Sequence, residues 1–161
     1  MLEPISGDPT EMLEQLNALV SIAHGNLYHR LSALSNACAL LAGALDRINW
    51  VGFYLVGTDQ TLMLGPFQGA VACTEIPHGK GVCGTAWARG ETLVVPDVHA
   101  FAGHIACDAA SRSEVVVPLF VDGRVVGVLD VDSPETGRFS LDDVDFLQKA
   151  AGLVSRILPL T

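Results

Sequence analysis

The 161-residue sequence has no Cys-x-x-Cys pair, no His-x-x-x-His pair, no run of basic residues and no apolar stretch long enough to span a bilayer. Each absence narrows what the chain does. Nothing in the ligand spacing seeds a zinc site, since His104 and Cys107 form only one isolated pair, so neither a metal nor a cofactor is expected. Nine Lys and Arg stand against 18 Asp and Glu, a net charge of −9. Nucleic acid and anionic membranes reward clustered cations, so neither is an expected partner. The acidity itself reads as solubility and names no substrate. The opening Met1-Leu-Glu-Pro-Ile-Ser-Gly-Asp-Pro9 lacks a basic region followed by an apolar one, so no secretory signal is expected. A cytoplasmic location follows as an expectation, with thiols kept reduced and any disulfide transient and catalytic. Internal repeats, low-complexity tracts and linkers are also missing. Half the residues are apolar and 17% are charged, which suits one domain over residues 1–161 with a proper core.

What is present is a change of hydrophobic period. A first helix is predicted from Asp8-Pro9-Thr10-Glu11, where Asp8 can cap and Pro9 suits the first turn. Met12, Leu13, Leu16, Leu19, Val20 and Ala23 hold its helical register. A second helical run covers about Leu27 to Leu45. From Ile48 to Val56 the pattern reads as a strand, Gly57 to Gln60 as a turn, and Thr61 to Phe67 as the returning partner. Shorter strands are predicted near Ala70 to Ile76 and Thr92 to Pro96, with a short helix from Val82 to Arg89 after the Gly79-Lys80-Gly81 loop. The polar, mixed segment from Asp97 to Arg112 reads as a long functional loop. Asp122-Gly123 between two apolar runs, Glu114 to Val121 and Arg124 to Asp132, specifies a type I′ hairpin. Ser140-Leu-Asp-Asp143 has capping-box spacing and opens a last helix to about Leu158. Two helices, a strand-rich middle and a closing helix make an α+β fold, with helices on one face of an antiparallel sheet.

Four cysteines are present, and Cys38, in an apolar helical run, reads as core. Cys73, Cys83 and Cys107 lie instead in glycine- and charge-punctuated segments, the setting of reactive thiols. Cys83 falls near a predicted helix start, where backbone N–H groups can stabilise a thiolate; Cys107 follows His104 and precedes Asp108 and Ser111. A free cysteine taken singly is most often buried filler, but three in polar loops shift the balance toward redox work. Asp130 and Asp132 share one strand face, either as a solvated strand end or as the lining of a pocket. Glu114 is a third acid. A regular two-residue hairpin pairs it with Val131 and turns it to the opposite face. A bulge near Pro118, which cannot donate to a ladder, would bring it back; regular pairing through Pro118 would refute that placement. Trp50 and Tyr54, four apart on one strand, share a face and serve either as core or as the apolar wall of a small-ligand pocket.

The segments Gly79-Lys-Gly-Val-Cys83-Gly-Thr-Ala, Asp97-Val-His99, Gly103-His-Ile-Ala-Cys107-Asp-Ala-Ala-Ser-Arg-Ser-Glu114-Val-Val-Val-Pro118 and Gly127-Val-Leu-Asp130-Val-Asp132-Ser133 resemble the free methionine-R-sulfoxide reductases, which are GAF-domain enzymes. The likeness runs from about Asn49 to the last helix, and the two leading helices fit the same fold. It implies a GAF fold: a central antiparallel sheet with the N- and C-terminal helices on one face and ligand-binding loops on the other. It implies Cys107 as the nucleophile, Cys83 as the main resolving cysteine and Cys73 as a second one. Glu114, Asp130 and Asp132 match acids lining the substrate pocket, and Trp50 and Tyr54 match its aromatic wall. In such a cycle a thiolate attacks the sulfoxide sulfur, a carboxylic acid of raised pKa protonates the departing oxygen, and the resulting sulfenic acid condenses with a second thiol. A thioredoxin-like dithiol then restores the enzyme. Preference for the R form and a homodimer are further implications of the resemblance. Two alternatives stay open: a GAF sensory module that binds a small ligand without turnover, and a thiol redox sensor whose disulfide alters a partner interaction.

Overall fold

The period-two alternation of the central strands decides the architecture. In this computed structural model residues 7–23 and 25–160 are described; the amino-terminal stretch read above for targeting lies largely outside them. Helix α1 spans Pro9–Ser21 and α2 Leu27–Ala44; strands β1 (Trp50–Val56), β2 (Thr61–Gly69) and β3 (Glu75–Pro77) follow. Helix α3 (Gly81–Arg89), strand β4 (Leu93–Val95), a single 3-10 turn at Val98–Ala100, the β5 (Ser113–Val121) and β6 (Arg124–Ser133) hairpin and helix α4 (Leu141–Ser155) complete it. The strands form one antiparallel sheet in the order β3-β2-β1-β6-β5-β4.

Because successive side chains point to opposite faces, the sheet carries two apolar layers. Val51 and Phe53 of β1, Val115, Val117 and Leu119 of β5, and Leu129 and Val131 of β6 pack against α1, α2 and α4. The intervening residues Trp50, Tyr54, Val116 and Val128 face the other way and meet Val82, Cys83, Ala86 and Trp87 of α3. Each fully buried Leu, Val or Phe contributes roughly 1.5–3 kcal/mol, and an unpaired buried polar group costs about 2–7 kcal/mol. The helix-side core therefore has to be extensive for the opposite face to carry acids.

The predicted turn chemistry holds. Asp8 accepts a hydrogen bond from the Thr10 N–H at the start of α1, and Ser140 and Asp143 form a reciprocal capping box on α4. Asp122 and Gly123 both have positive φ, 50° and 75°, as a type I′ turn requires. The strand expected near Ala70 to Ile76 is shorter and later, with residues 70–74 forming a loop that leads into β3.

The bulge near Pro118 is corrected. Pro118 pairs regularly with Val128, so the ladder does not break at the proline. The register shifts one step further on, between Leu119 and Phe120, where Leu119 pairs with Gly127 and Phe120 with Val125; the extra residue is Val126, on β6. Proline is tolerated because β4 pairs only with Glu114 to Val116 and leaves the outer side of β5 free there. The sequence signal for the bulge was Gly127. A Cβ at that position would lie 2.6 Å from the Tyr54 carbonyl oxygen, so only glycine lets β1 approach the distorted strand so closely. The consequence is the expected one: Glu114 pairs with Asp132 and shares its face.

Candidate active site

The α3 face of the sheet ends in a cavity open to solvent on one side, with about 480 Å³ of empty space when its open mouth is counted. Trp50 and Tyr54 of β1, Glu114 of β5, Asp130 and Asp132 of β6, Gly81, Val82 and Cys83 of α3, and His104, Ile105 and Cys107 of the long loop all line it. The three acids, the two aromatics, Cys83 and Cys107 thus meet at one place, and Cys73 reaches the rim through its bond to Cys107.

The aromatic wall depends on a missing side chain. Trp50 and Tyr54 stack with ring centroids 5.8 Å apart, and Phe67 stacks behind Trp50 at 5.3 Å. Gly52 lies between them on the same face. A Cβ there would run into Phe67 Cβ and come 2.7 Å from Trp50 Cη2, so glycine makes the stack possible. Both aromatics also use their polar ends. The Trp50 indole donates to the Ala70 carbonyl at 3.1 Å, and the Tyr54 hydroxyl donates to the Cys73 carbonyl at 2.9 Å. Burial and the surrounding acids push the Tyr54 phenol up, so it stays a donor. The wall therefore holds the loop that carries Cys73.

Cys73 and Cys107 are joined as a disulfide with Cα atoms 5.3 Å apart. This departs from the pairing the resemblance implied, in which Cys83 was the main resolving thiol. Cys83 is instead a buried free thiol in the first turn of α3. Its Sγ sits 3.8 Å from Glu114 Oε1. Burial, followed by the negative charge of Asp130, Glu114 and Asp132, raises its pKa well above the ordinary thiol range. A thiol held protonated is a poor attacker of a sulfenic acid.

The three acids are almost fully buried: Glu114 is 6% exposed, Asp130 5% and Asp132 9%. Burial and then the charge of Asp130 push Glu114 well above the carboxylate range. Burial, then Asp130 and Asp108, do the same to Asp132. Asp130 is also raised by burial, but hydrogen bonding from Glu114 and Cys83 opposes the rise. Burial and like charge at close range disfavour ionising these carboxyls together. Asp130 Oδ1 is buried with no hydrogen-bond partner.

Asn49 is a site residue that the sequence reading passed over. Its Nδ2 donates to Asp108 Oδ2 at 3.0 Å and to Ser111 Oγ at 3.1 Å, clamping the Cys107 loop to the start of β1. The loop is further anchored by the Arg112 N–H, which donates to the Ser133 carbonyl at 2.7 Å. The available signal was a lone polar residue entering the apolar run that becomes β1. His104 lines the mouth; burial and His99 lower its pKa, which favours the neutral imidazole.

Comparison with known proteins places this arrangement. The GAF domain family matches residues 11–158. A free methionine-R-sulfoxide reductase of Escherichia coli (strain K12) is 52% identical over 131 residues, covering 81% of this chain and 79% of that protein. One from Saccharomyces cerevisiae is 44% identical over 153 residues, covering 91% and 85%. The crystal structure of the free methionine-R-sulfoxide reductase from Neisseria meningitidis in complex with its substrate superposes with a TM-score of 0.88 at 44% identity, covering 98% of this chain and 94% of that one.

Proposed function

We propose that this chain, which belongs to the GAF domain family and within it to the free methionine-R-sulfoxide reductases, reduces free L-methionine-(R)-sulfoxide to methionine. The observation that carries the reading is the Cys73–Cys107 bond at the rim of a cavity floored by three buried acids. Cys107 is the nucleophile: its thiolate attacks the sulfoxide sulfur, the oxygen passes to the cysteine as a sulfenic acid, and methionine leaves. The oxygen needs a proton as it departs, and a carboxyl group kept protonated near neutral pH supplies it. Asp132 is better placed than Glu114, because it senses the charge of Asp108, the neighbour of Cys107. Glu114 and Asp130 lie deeper, beside Cys83, and receive the substrate ammonium. The partnerless Asp130 Oδ1 is the natural acceptor.

The backbone N–H groups at the start of α3, which borders the cavity and where Lys80 supplies no side-chain cap, suit the substrate carboxylate. A free amino acid presents both an ammonium and a carboxylate; a methionine sulfoxide within a peptide presents neither. That pair of subsites is the physical case for a free substrate. The Trp50–Tyr54 wall encloses the methyl end. Cys73 then attacks the Cys107 sulfenic acid, releasing water and closing the disulfide, and a thioredoxin-like dithiol reopens it by exchange. The test is NADPH oxidation coupled through thioredoxin and its reductase. Free methionine-R-sulfoxide should be turned over, Cys107→Ser should abolish turnover, and equal activity on peptide-bound sulfoxide would overturn the substrate assignment.

A further inference from the structure

Cys83 has no part in that cycle, yet it sits at the base of the cavity. We infer that Cys83, Glu114 and Asp130 form a site for a soft divalent cation, Zn2+ or Cd2+, whose occupancy excludes the substrate. The inference rests on the substrate reading only in its last clause. One donor atom from each of the three residues lies within 4.8 Å of the other two, and all three residues are buried. Adjacent donors of a tetrahedral zinc centre with one sulfur and one oxygen are roughly 3.5 Å apart, from bond lengths of about 2.3 and 2.0–2.2 Å. The Cys83 Sγ to Glu114 Oε1 separation of 3.8 Å is already close to that. Independently, Asp130 Oδ1 is buried without a partner, a vacant acceptor on a residue that lines the cavity.

One thiolate with two carboxylates is a mixed soft and hard donor set. It suits zinc and cadmium and fits magnesium or calcium poorly, since those ions take oxygen ligands alone. The fourth position faces the open cavity, where water can fill it. Binding releases the Cys83 thiol proton and any carboxyl protons to solvent, so the dication meets a thiolate and two carboxylates. It also relieves the like-charge repulsion among them. The ion takes up the same carboxylates as the substrate ammonium, so the two compete.

The test uses the disulfide form of the whole chain, stripped with chelator. Cys73 and Cys107 are then covalently closed, and Cys38, the other free thiol, is buried in the opposite core with its Sγ on the Pro66 carbonyl. Cadmium chloride is titrated while the ultraviolet sulfur-to-cadmium charge-transfer band is followed. The band should saturate at one ion per chain and vanish in Cys83→Ser. Asp130→Asn, with its fold checked by circular dichroism, should weaken binding roughly 100-fold or more, beyond the ~10–100-fold typical of an outer-shell partner. Free methionine sulfoxide should shift the titration to higher cadmium, against a glycine control for chelation in solution. Absence of the band in the unmodified chain, or its survival in Cys83→Ser, would overturn the site. An unshifted titration would overturn the exclusion. Turnover in metal-free buffer is scored separately, so failure there would remove the reductase reading and leave the cation site standing.

Discussion

Replacing Glu114 with glutamine should change how stability depends on pH. The side chain is buried on the sheet and its carboxyl is held well above its ordinary value of 4.5. In the unfolded chain it returns to near that value. Between the two pKa values the folded protein binds a proton that the unfolded chain has lost. The sign follows: stability is fully present below pH 4.5, declines as pH rises above it, and levels off once the folded pKa is passed. One proton of difference corresponds to a slope of about −1.4 kcal/mol per pH unit. The amide introduced by Glu114→Gln has no such proton to lose. Glu114 is neutral in the folded state throughout this window, so Asp130 and Asp132 experience nearly the same surroundings in both proteins. The stability difference between the two should therefore slope by about 1.4 kcal/mol per pH unit in favour of the variant, whatever constant offset the amide introduces. Urea unfolding followed by circular dichroism at closely spaced pH values measures this, with both proteins in the disulfide form. Parallel stability curves, or a variant that loses ground as pH rises, would refute the claim that a neutral carboxyl is kept in the site.

Without added reductant, Cys73→Ser should release about one methionine per chain and accumulate a sulfenic acid that a dimedone-type reagent traps. Cys107→Ser should release none, and steady-state turnover by Cys73→Ser equal to the unmodified enzyme would return the resolving role to Cys83. Gly52→Ala forces a methyl group into Phe67 and Trp50, an overpacking worth about 1–3 kcal/mol. Thermal unfolding should register that loss, and KM should rise as the aromatic wall tilts. Asn49→Ala removes both donors to the Cys107 loop and should cost about 1–3 kcal/mol. Hydrogen exchange should quicken over residues 105–111, and stopped-flow measurement should show slower disulfide closure; unchanged rates of both would rule out the clamp.

The elements were legible because their signals are local. Asp8 and Ser140 cap helices, Asp122-Gly123 turns a hairpin, and alternation along β5 and β6 separates two faces whatever lies beyond them. The site residues were legible as chemistry, since acids, aromatics and thiols stood in segments that resemble a known family. Their arrangement was less so. A bulge was required by the parity of Glu114, but its place was misjudged because Pro118 is the stronger local signal. The strand-interior glycine that marks it matters only through β1, a neighbour that lies far away in sequence. Asn49 was missed for a related reason: its partners are 59 and 62 residues away.

Sequence alone determined the α+β order of elements and marked three cysteines and three acids as the residues that carry chemistry, because hydrophobic period, caps, turns and residue type depend on near neighbours. Tertiary structure alone decided which thiols meet. Cys83 has the better helix position, but packing under α3 buries it against carboxylates that keep it protonated. Cys73, on a loop gripped by Trp50 and Tyr54, reaches Cys107 instead. Both burial and reach are sums over contacts between distant segments, and no local pattern encodes them.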